Sequence, residues 1–286
     1  GGAERVLQVL ANHFARANDV TIAILENDEG RYKFSEKIKF LHLDVYKNGG
    51  RFDKYRILRE CFKRERPNVI ISFMDWTNVA CVIANFGLGI PLIATEHNAH
   101  DYLPSGLFSR VRDLCYKKAD ALTVLTRSDF EYYSRFVKNC FVVHNPFFGE
   151  ICDTKGAKRN VILSVGRLDA GKNHALLIRA YANLKNNDKD LLILGDGVLR
   201  AELEALIEEL GLSGRVKLLG FDANPYKYMA RCHAFVFVSL FEGFSNALIE
   251  ALACGKLVIS SDHQSGAREL MGQSEWGVLV GVNDLE

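Results

Sequence analysis

The sequence has no apolar run that approaches the roughly 20 residues needed by a membrane-spanning helix. It also has almost no excess of charge. Its formal net charge is +1, which argues against a general nucleic-acid-binding protein. Hydrophobic residues make up 48% of the chain and charged residues 25%, as in globular proteins with a substantial core. We therefore expect a globular protein, no part of which spans a membrane.

The seven cysteines include no Cys-x-x-Cys pair, and their number is odd. Most lie in apolar segments, such as those around Cys81 and Cys254. Buried free thiols in a reducing compartment are the simplest interpretation, so the expected location is the cytoplasm. No signal peptide is visible, although the sequence opens within a motif.

Short apolar runs alternate with amphipathic segments along the chain, a pattern typical of parallel βαβ units. The predicted strands before residue 146 are 20–25, 38–43, 69–73, 91–95, 121–125 and 141–144. Those after it are 161–165, 191–194, 215–219, 234–238 and 256–260. A polar stretch that follows Asn145 separates the two sets and predicts a linker.

A chain of 286 residues favours two domains over one. We predict an α/β protein of two Rossmann-like, doubly wound domains, residues 1–148 and 149–286, whose ligand-binding edges face each other across a cleft. The two ends look incomplete. Gly1 and Gly2 suit the turn between a first strand and a helix, but no strand precedes them, and the last apolar run has nothing to cover it. Since natural sheets avoid unpaired edges, we expect truncation at both ends.

The segment GRLDAGKN, residues 166–173, follows a predicted strand and carries two cations. Arg167 is a fork-shaped donor and Lys172 is a compact ammonium, and together they would suit two phosphates. Taken alone, the two side chains fit a solvated loop better than a phosphate site.

A second segment, EGFSNALIE, strengthens the phosphate hypothesis. Glu242 follows a strand, Gly243 permits a tight turn, and Ser245 and Asn246 open a predicted helix. The start of a helix offers free amides and partial positive charge, which attract a diphosphate. Glu250 follows inside the helix and could accept hydrogen bonds from a ribose diol, although such a glutamate is more often a surface residue.

The combination of these two motifs resembles family 4 glycosyltransferases, which are retaining enzymes of the GT-B fold. The resemblance extends from GGAERVLQVLANHF through PLIATEHN to SDHQSGARELMG. Within the family, the segments VGRLDAGKNHALLIRAYANLK and LLGFDANPYKYMARC are most similar to bacterial N-acetylgalactosaminyltransferases. Those enzymes build the undecaprenyl-diphosphate-linked oligosaccharide for protein N-glycosylation.

The resemblance implies a role for each matching position. Arg167 and Lys172 would grip the donor diphosphate and stabilise the departing nucleotide, while Glu250 would hold the ribose. The implied catalytic residues are His97, Arg167, Lys172 and Glu242. The implied nucleotide-sugar-binding residues are Gly1, Gly2, Arg167, Lys172, Glu242, Phe244, Ser245, Asn246 and Glu250. The two glycines would close over the donor phosphates, and His97 would face the reacting sugar from the acceptor side.

Without the resemblance, His97 would be as readily a structural residue at a strand end. A metal site shared with His100 is disfavoured, because no cysteine or carboxylate cluster with ligand spacing accompanies the pair. Glu96 is as readily an orienting partner of His97 as a catalyst. We expect no metal and no cofactor.

The resemblance implies a retaining glycosyltransferase that moves a sugar, expected to be N-acetylgalactosamine, from a UDP-sugar to a lipid-diphosphate-linked oligosaccharide. The alternatives are a family 4 transferase for another hexose in lipopolysaccharide or capsule synthesis and a UDP-sugar epimerase or hydrolase that needs no acceptor. An inactive interaction module is a third reading.

A lipid-linked acceptor implies a cytoplasmic enzyme that is peripheral on the inner face of the cytoplasmic membrane, with no nucleic-acid partner. One candidate contact is the segment 103–120, where apolar residues at helical spacing accompany cations. These residues are Leu107, Phe108, Val111 and Leu114, with Arg110, Arg112, Lys117 and Lys118. The same helix could instead cover the sheet of its own domain. The basic stretch 51–66 is either a solvated helix face or a second attraction to anionic lipid.

Overall fold

The computed structural model describes residues 2–25, 33–45, 53–101, 106–147, 160–185, 187–262, 266–272 and 277–283. The chain divides into two compact units, Gly1–Asn145 and Pro146–Glu286. The predicted domain boundary between residues 148 and 149 lies outside the described residues. Each unit is an α/β structure built on parallel strands.

Unit 1 contains two parallel sheets. Its strands are β1 (Thr21–Ile24), β2 (Lys39–His42), β3 (Ile70–Phe73), β4 (Leu92–Thr95), β5 (Ala121–Val124) and β6 (Cys140–Val142). Its helices are α1 (Gly2–Phe14), α2 (Asp53–Glu65), α3 (Asp75–Asn85), α4 (Leu107–Tyr116) and α5 (Arg127–Tyr133). β1 pairs with β2, and β3 to β6 pair in sequence order. The strands coincide with the predicted apolar runs.

The core of unit 1 surrounds its two central strands. Leu92 and Ala94 of β4, Leu122 and Val124 of β5, and Tyr116 of α4 are all 0–1% exposed. Helices α3 and α5 pack against these strands, and buried strands of a parallel sheet are rich in apolar residues. This packing fixes the carboxyl end of β4, which Glu96 and His97 follow directly.

Helix α4 does not bury the face that the apolar spacing predicted. Leu107 and Leu114 are exposed, whereas Arg112 is 2% exposed and donates to the carbonyl oxygen of His100 and to Asp113. Arg112, one of the four cations named with the candidate membrane segment, is therefore buried and cannot contact a membrane. The apolar residues at the two ends of the helix do not cover the sheet either.

Unit 2 contains one six-stranded parallel sheet. Its strands are β7 (Val161–Val165), β8 (Asp190–Leu194), β9 (Val216–Gly220), β10 (Ala234–Phe237), β11 (Leu257–Ser261) and β12 (Gly277–Val280). Its helices are α6 (His174–Asn183), α7 (Arg200–Glu209), α8 (Tyr226–Met229), α9 (Asn246–Ala253) and α10 (Gly266–Met271), and a 3₁₀ turn spans Ala170–Lys172.

The strand order of this sheet is β12-β11-β10-β7-β8-β9. From β7 the chain builds outwards to β9, returns to β10 on the other side of β7, and then builds outwards to β12. The order reverses between β7 and β10, and the crevice beyond the carboxyl ends of two such strands is where open α/β sheets bind ligands. One core cluster lies under α6 and α7, and a second under α8, α9 and α10.

Two further observations concern expectations from composition. Within the described residues, no helix is both long enough and apolar enough to cross a membrane. Of the cysteines in the described part of the chain, five are free thiols, namely Cys61, Cys81, Cys115, Cys140 and Cys232. Cys254 is disulfide-bonded, so the prediction of free thiols is wrong at that position.

Candidate active site

Two loops meet at the switch point of the unit 2 sheet. The first, residues 166–172, follows β7, and the second, residues 238–245, follows β10. The backbone amide of Leu240 donates to the carbonyl oxygen of Gly171 at 2.8 Å, which joins the loops directly. The two motifs that the sequence singled out are thus neighbours, although about 70 residues separate them along the chain.

Lys172 and Glu242 form an ion pair between these loops. Their side chains are 20% and 17% exposed, so both charged groups are mostly buried but still reach solvent. Ser239 donates to the same Glu242 oxygen at 3.2 Å, and the Lys172 ammonium lies 5.4 Å from the centre of the Phe237 ring. Burial lowers the pKa of Lys172 to about 8, while the carboxylate of Asp169 acts in the opposite direction.

The local fold explains how Lys172 reaches this position. Asp169 caps the 3₁₀ turn by accepting from the backbone amide of Lys172 at 3.2 Å, and Asn173 then adopts a left-handed conformation with φ of 53°. The lysine stem passes over Gly166, where an added Cβ would lie 3.3 Å from it. Glycine at that position leaves room for the stem to turn towards β10.

Arg167 lies on the same loop but extends into solvent. Its side chain is 78% exposed and its Nε is 3.2 Å from Asp169. Its positive charge contributes to the lowered pKa of Lys172, so the two cations act on one region. Arg167 has the freedom to move onto a bound anion, whereas Lys172 is held in place.

Helix α9 begins beside the ion pair. Ser245 is its N-cap and accepts from the backbone amide of Leu248 at 3.4 Å. Ser245 and Phe244 are buried, and Asn246 is the first residue of the helix. The partial positive charge of the helix start adds to that of Lys172, so this crevice suits an anion.

Glu250 is an interior residue of α9 rather than a surface one. It is 3% exposed and accepts a hydrogen bond of 2.9 Å from the hydroxyl of Tyr226. Tyr226 opens the short helix α8, which packs against α9. The surface interpretation of this glutamate is therefore wrong.

In unit 1 the predicted acceptor-side residue follows β4. The His97 ring stacks on Phe73 with 5.4 Å between ring centres, and burial lowers the pKa of His97 to about 4. The imidazole is therefore neutral at physiological pH. Glu96, directly before it, is 2% exposed. Gly2 opens α1, while Gly1 lies outside the described residues.

His97 and His100 have different neighbours in unit 1, since His97 stacks on Phe73. His100 Nδ1 lies 3.0 Å from Asp129, and its ring stacks on Tyr132 at 4.5 Å. Among the residues that the structure describes, no group of three or more His, Cys, Asp or Glu side chains could hold a metal ion.

Two family models together match nearly the whole chain. The glycosyl transferase 4-like domain matches residues 1–145, and glycosyl transferases group 1 matches residues 153–286. This chain belongs to the glycosyltransferase family that these two domain models describe.

Two curated proteins of Campylobacter jejuni are similar over 99% of the chain. The "N-acetylgalactosamine-N,N'-diacetylbacillosaminyl-diphospho-undecaprenol 4-alpha-N-acetylgalactosaminyltransferase" is 42% identical, and the match covers 84% of that protein. The "GalNAc-alpha-(1->4)-GalNAc-alpha-(1->3)-diNAcBac-PP-undecaprenol alpha-1,4-N-acetyl-D-galactosaminyltransferase" is 37% identical, with 82% of it covered.

Solved structures agree on the fold. Anabaena HepE, determined with UDP and glucose, superposes with a TM-score of 0.81 at 20% identity, covering 100% of this chain and 83% of HepE. The predicted GT-B fold class of two α/β domains is confirmed.

Three polar residues of the glycosyltransferase, the buried Tyr116 and His174 and the partly buried Tyr226, were not singled out from the sequence. Tyr226 contacts Glu250, and Tyr116 contacts Glu96. His174 is 3% exposed at the start of α6, and burial lowers its pKa to about 4. Only His174 had a local signal, since it closes the GKNH run. The tyrosines lie 20 or more residues from their partners, so spacing along the chain could not reveal them.

Proposed function

We propose that this glycosyltransferase moves N-acetylgalactosamine from UDP-N-acetylgalactosamine to an undecaprenyl-diphosphate-linked oligosaccharide used in protein N-glycosylation, with retention at the anomeric carbon. Both Campylobacter relatives are named as N-acetylgalactosaminyltransferases with undecaprenyl-linked substrates. The observation that carries the proposal is the Lys172–Glu242 pair beside the start of α9 at the switch point. A cation, a carboxylate and helix amides lie together there, and a sugar diphosphate needs all three.

Donor binding would exchange the partners of the ion pair. A phosphate oxygen would replace the Glu242 carboxylate at Lys172, and Glu242 would then accept hydrogen bonds from hydroxyls of the transferred sugar. As the bond between the anomeric carbon and the diphosphate oxygen breaks, negative charge grows on the departing UDP. Lys172 and the first amides of α9 would stabilise that charge from fixed positions, which is the electrostatic contribution that enzymes use most. Arg167 would add its charge after moving onto the diphosphate.

Two other residues have proposed roles in the reaction. The neutral ring of His97 would exchange hydrogen bonds with the reacting sugar from the acceptor side. Glu250 would accept hydrogen bonds from the ribose diol. No metal or cofactor takes part in the proposed chemistry.

A donor screen tests the proposal. UDP-N-acetylgalactosamine, UDP-N-acetylglucosamine and UDP-galactose are each offered with and without a lipid-diphosphate-linked disaccharide, and products are followed by mass spectrometry. We expect acceptor-dependent transfer with the first donor and an α-linked product by NMR. Transfer of another hexose would support the proposed class of reaction but refute N-acetylgalactosamine as the sugar that is transferred. Turnover of UDP-sugar at the same rate without acceptor would instead indicate an epimerase or hydrolase.

We assign contact with the anionic inner membrane surface to the starts of α3 and α4. Leu107 is 80% and Trp76 53% exposed, and the Trp76 ring stacks on Phe108 with 3.6 Å between centres. Lys54 lies 5.4 Å from the Trp76 ring. Exposed aromatic and aliphatic side chains beside a cation suit the interface of an anionic bilayer.

Flotation with vesicles tests the membrane contact. Wild-type protein should float with vesicles that contain anionic lipid, and the Trp76→Ala, Leu107→Ala double variant should not. Phe86→Ala is the matched control, because Phe86 is 78% exposed at the other end of α3. Equal flotation of all three proteins, or none by the wild type, would refute this surface.

A further inference from the structure

Glu96 is a buried carboxyl group that the proposed chemistry does not use. It follows β4, directly before His97, and is 2% exposed. Its Oε1 accepts from the backbone amides of His97 and Asn98, both at 2.9 Å. Its Oε2 accepts from the hydroxyl of Tyr116 at 2.5 Å. Three donors thus converge on one carboxyl group, and two of them belong to the segment that carries the imidazole.

Tyr116 is itself held in one orientation. It is fully buried, and its hydroxyl oxygen accepts from the side-chain amide of Asn78 at 3.1 Å. The same amide donates to the carbonyl oxygen of Thr95 at 2.9 Å. Since Asn78 donates to the hydroxyl, the single hydroxyl proton is left to point at Glu96. A hydrogen-bonded chain therefore runs from α3 through α4 to the end of β4.

The charged and titratable groups around Glu96 come from three helices. Asp75 of α3 disfavours the carboxylate, Arg112 of α4 favours it, and Tyr133 of α5 lies in the same buried region. Burial is the largest influence and raises the pKa of Glu96 to about 7, against the hydrogen bond from Tyr116, which lowers it. The group therefore changes charge near physiological pH.

We propose that Glu96 is a positioning residue: its carboxylate, aimed by Tyr116, fixes the backbone of His97 and Asn98 so that the imidazole meets the reacting sugar. This inference rests on the role proposed for His97. The ionised carboxylate can accept from all three donors at once. The protonated group carries a hydrogen on one oxygen, so at least one of these three hydrogen bonds must break or weaken. The segment is thus fixed above the pKa of Glu96 and loosened below it.

A pH profile of kcat/KM tests the inference. Wild-type activity should rise with pH through about 7 as Glu96 ionises. Tyr116→Phe keeps the ring but removes the donor that favours the carboxylate, so its acidic limb should move up by roughly one to two pH units. Glu96→Gln should lose the limb and, at pH 8, lose activity by up to roughly 100-fold, because the imidazole is no longer held in place.

Tyr133→Phe is the matched control. Tyr133 is as deeply buried as Tyr116, but its hydroxyl has no hydrogen-bond partner within the described part of the chain. The acidic limb of the Tyr133→Phe profile should coincide with that of the wild type. The inference is overturned if Tyr116→Phe keeps the wild-type limb, or if its activity falls equally at every pH, as a purely structural defect would produce.

A second measurement separates this inference from the proposed function. The ring protons of His97 can be followed by NMR, with no substrate present, in the wild type and in Glu96→Gln. A change in their chemical shift near pH 7 that Glu96→Gln abolishes supports the positioning role, even if the donor screen shows no transfer. Absence of that change in a folded wild-type protein refutes the role, even if transfer is observed.

Discussion

Lys172 and Glu242 were singled out separately from the sequence, and the structure shows them paired. Each motif alone fitted a solvated loop or a helix end. The fold changes that balance, because it brings both loops to the switch point and buries most of each side chain. A half-buried lysine held by one carboxylate, with a second cation nearby, is positioned before any ligand arrives. Such preorganisation is what stabilisation of a leaving group requires.

Removal of the Lys172 ammonium should therefore damage turnover more than folding. We expect Lys172→Ala to lower kcat by roughly 100- to 1000-fold, as for other preorganised donors. Lys217→Ala is the control, because Lys217 is an exposed residue of β9. Circular dichroism checks the fold of both variants. Near-normal turnover of Lys172→Ala would remove Lys172 from the mechanism.

The charge of Lys172 should also set the alkaline limit of activity. Its pKa is lowered to about 8 by burial, and only the protonated form can hold a phosphate. On the alkaline side of the profile, the kcat/KM for the donor should thus fall as the pH rises through about 8. In Lys172→Arg the guanidinium stays charged, so the limb should disappear although the rate is reduced. A wild-type profile that is flat up to pH 9.5 would contradict this assignment.

Tyr226 shows which part of the site the sequence could not reveal. Glu250 was singled out from its place in the EGFSNALIE segment, but its 2.9 Å contact with the Tyr226 hydroxyl depends on the packing of α8 against α9. This contact fixes one carboxylate oxygen and so the direction of the group. The orientation of a functional carboxylate is a tertiary property, and spacing along the chain does not encode it.

If Tyr226 aims Glu250 at the ribose diol, its effect should require the 2′-hydroxyl. By calorimetry, we expect Tyr226→Phe to bind UDP about tenfold more weakly, the loss typical of one hydrogen bond to a charged group. The variant and the wild type should bind 2′-deoxy-UDP equally. Equal weakening for both nucleotides would indicate a general loss of structure instead.

At the scale of elements, the strands were the most predictable part of the fold. Buried parallel strands are continuous apolar runs, and β3, β4, β5 and β7 begin and end within about two residues of the predicted limits. The inward face of α4 was not predictable in this way. Its buried side chains are Arg112 and Tyr116, which enter a polar network rather than an apolar core. The spacing of apolar residues does not indicate such a polar network.

The loops after β7 and β8 touch so closely that a side chain at Gly195 cannot fit. Gly195 has φ of +149°, and an added Cβ would overlap the carbonyl oxygen of Gly166 at the start of the cation-bearing loop. We expect Gly195→Ala to lower the free energy of unfolding by roughly 2–4 kcal/mol, from backbone strain and overpacking together. Urea denaturation measures this.

Gly214→Ala is the control for that substitution. An added Cβ at Gly214 meets nothing within 4 Å, and its φ is not positive. Its unfolding free energy should change by less than about 0.5 kcal/mol, as for ordinary surface substitutions. Equal changes in unfolding free energy for the two variants would show that a side chain at position 195 does not disturb the contact between the loops.

At the scale of the whole molecule, alternation of strands and helices was enough to predict two α/β domains. It was not enough to predict the order of strands. In unit 2, β10 returns to lie beside β7, and this pairing joins residues about 70 positions apart. No local pattern specifies such a return, yet it creates the switch point at which the two motifs meet. The resemblance to a known family supplied what the local pattern could not.

The positions of the proposed donor-binding residues along the chain predict where a bound nucleotide slows amide exchange. Arg167, Lys172, Glu242 and Glu250 all lie in unit 2. From unit 1, Gly1 and Gly2 would contact the phosphates of UDP, whereas His97 would meet the transferred sugar, which UDP lacks. A ligand at 100 times its Kd stabilises the state it binds by about 2.7 kcal/mol. That stabilisation slows amide exchange only where opening must release the ligand.

UDP should therefore protect unit 2 and leave the sheets of unit 1 unchanged in hydrogen–deuterium exchange. Protection is expected for β7, β10 and α9, and its loss in Lys172→Ala would tie it to the diphosphate. The first turn of α1 gives a separate reading, since protection there would show that the glycine turn also meets the phosphates. Equal protection of β4 and β5 would contradict a donor site built from unit 2, because no proposed donor contact lies on either strand.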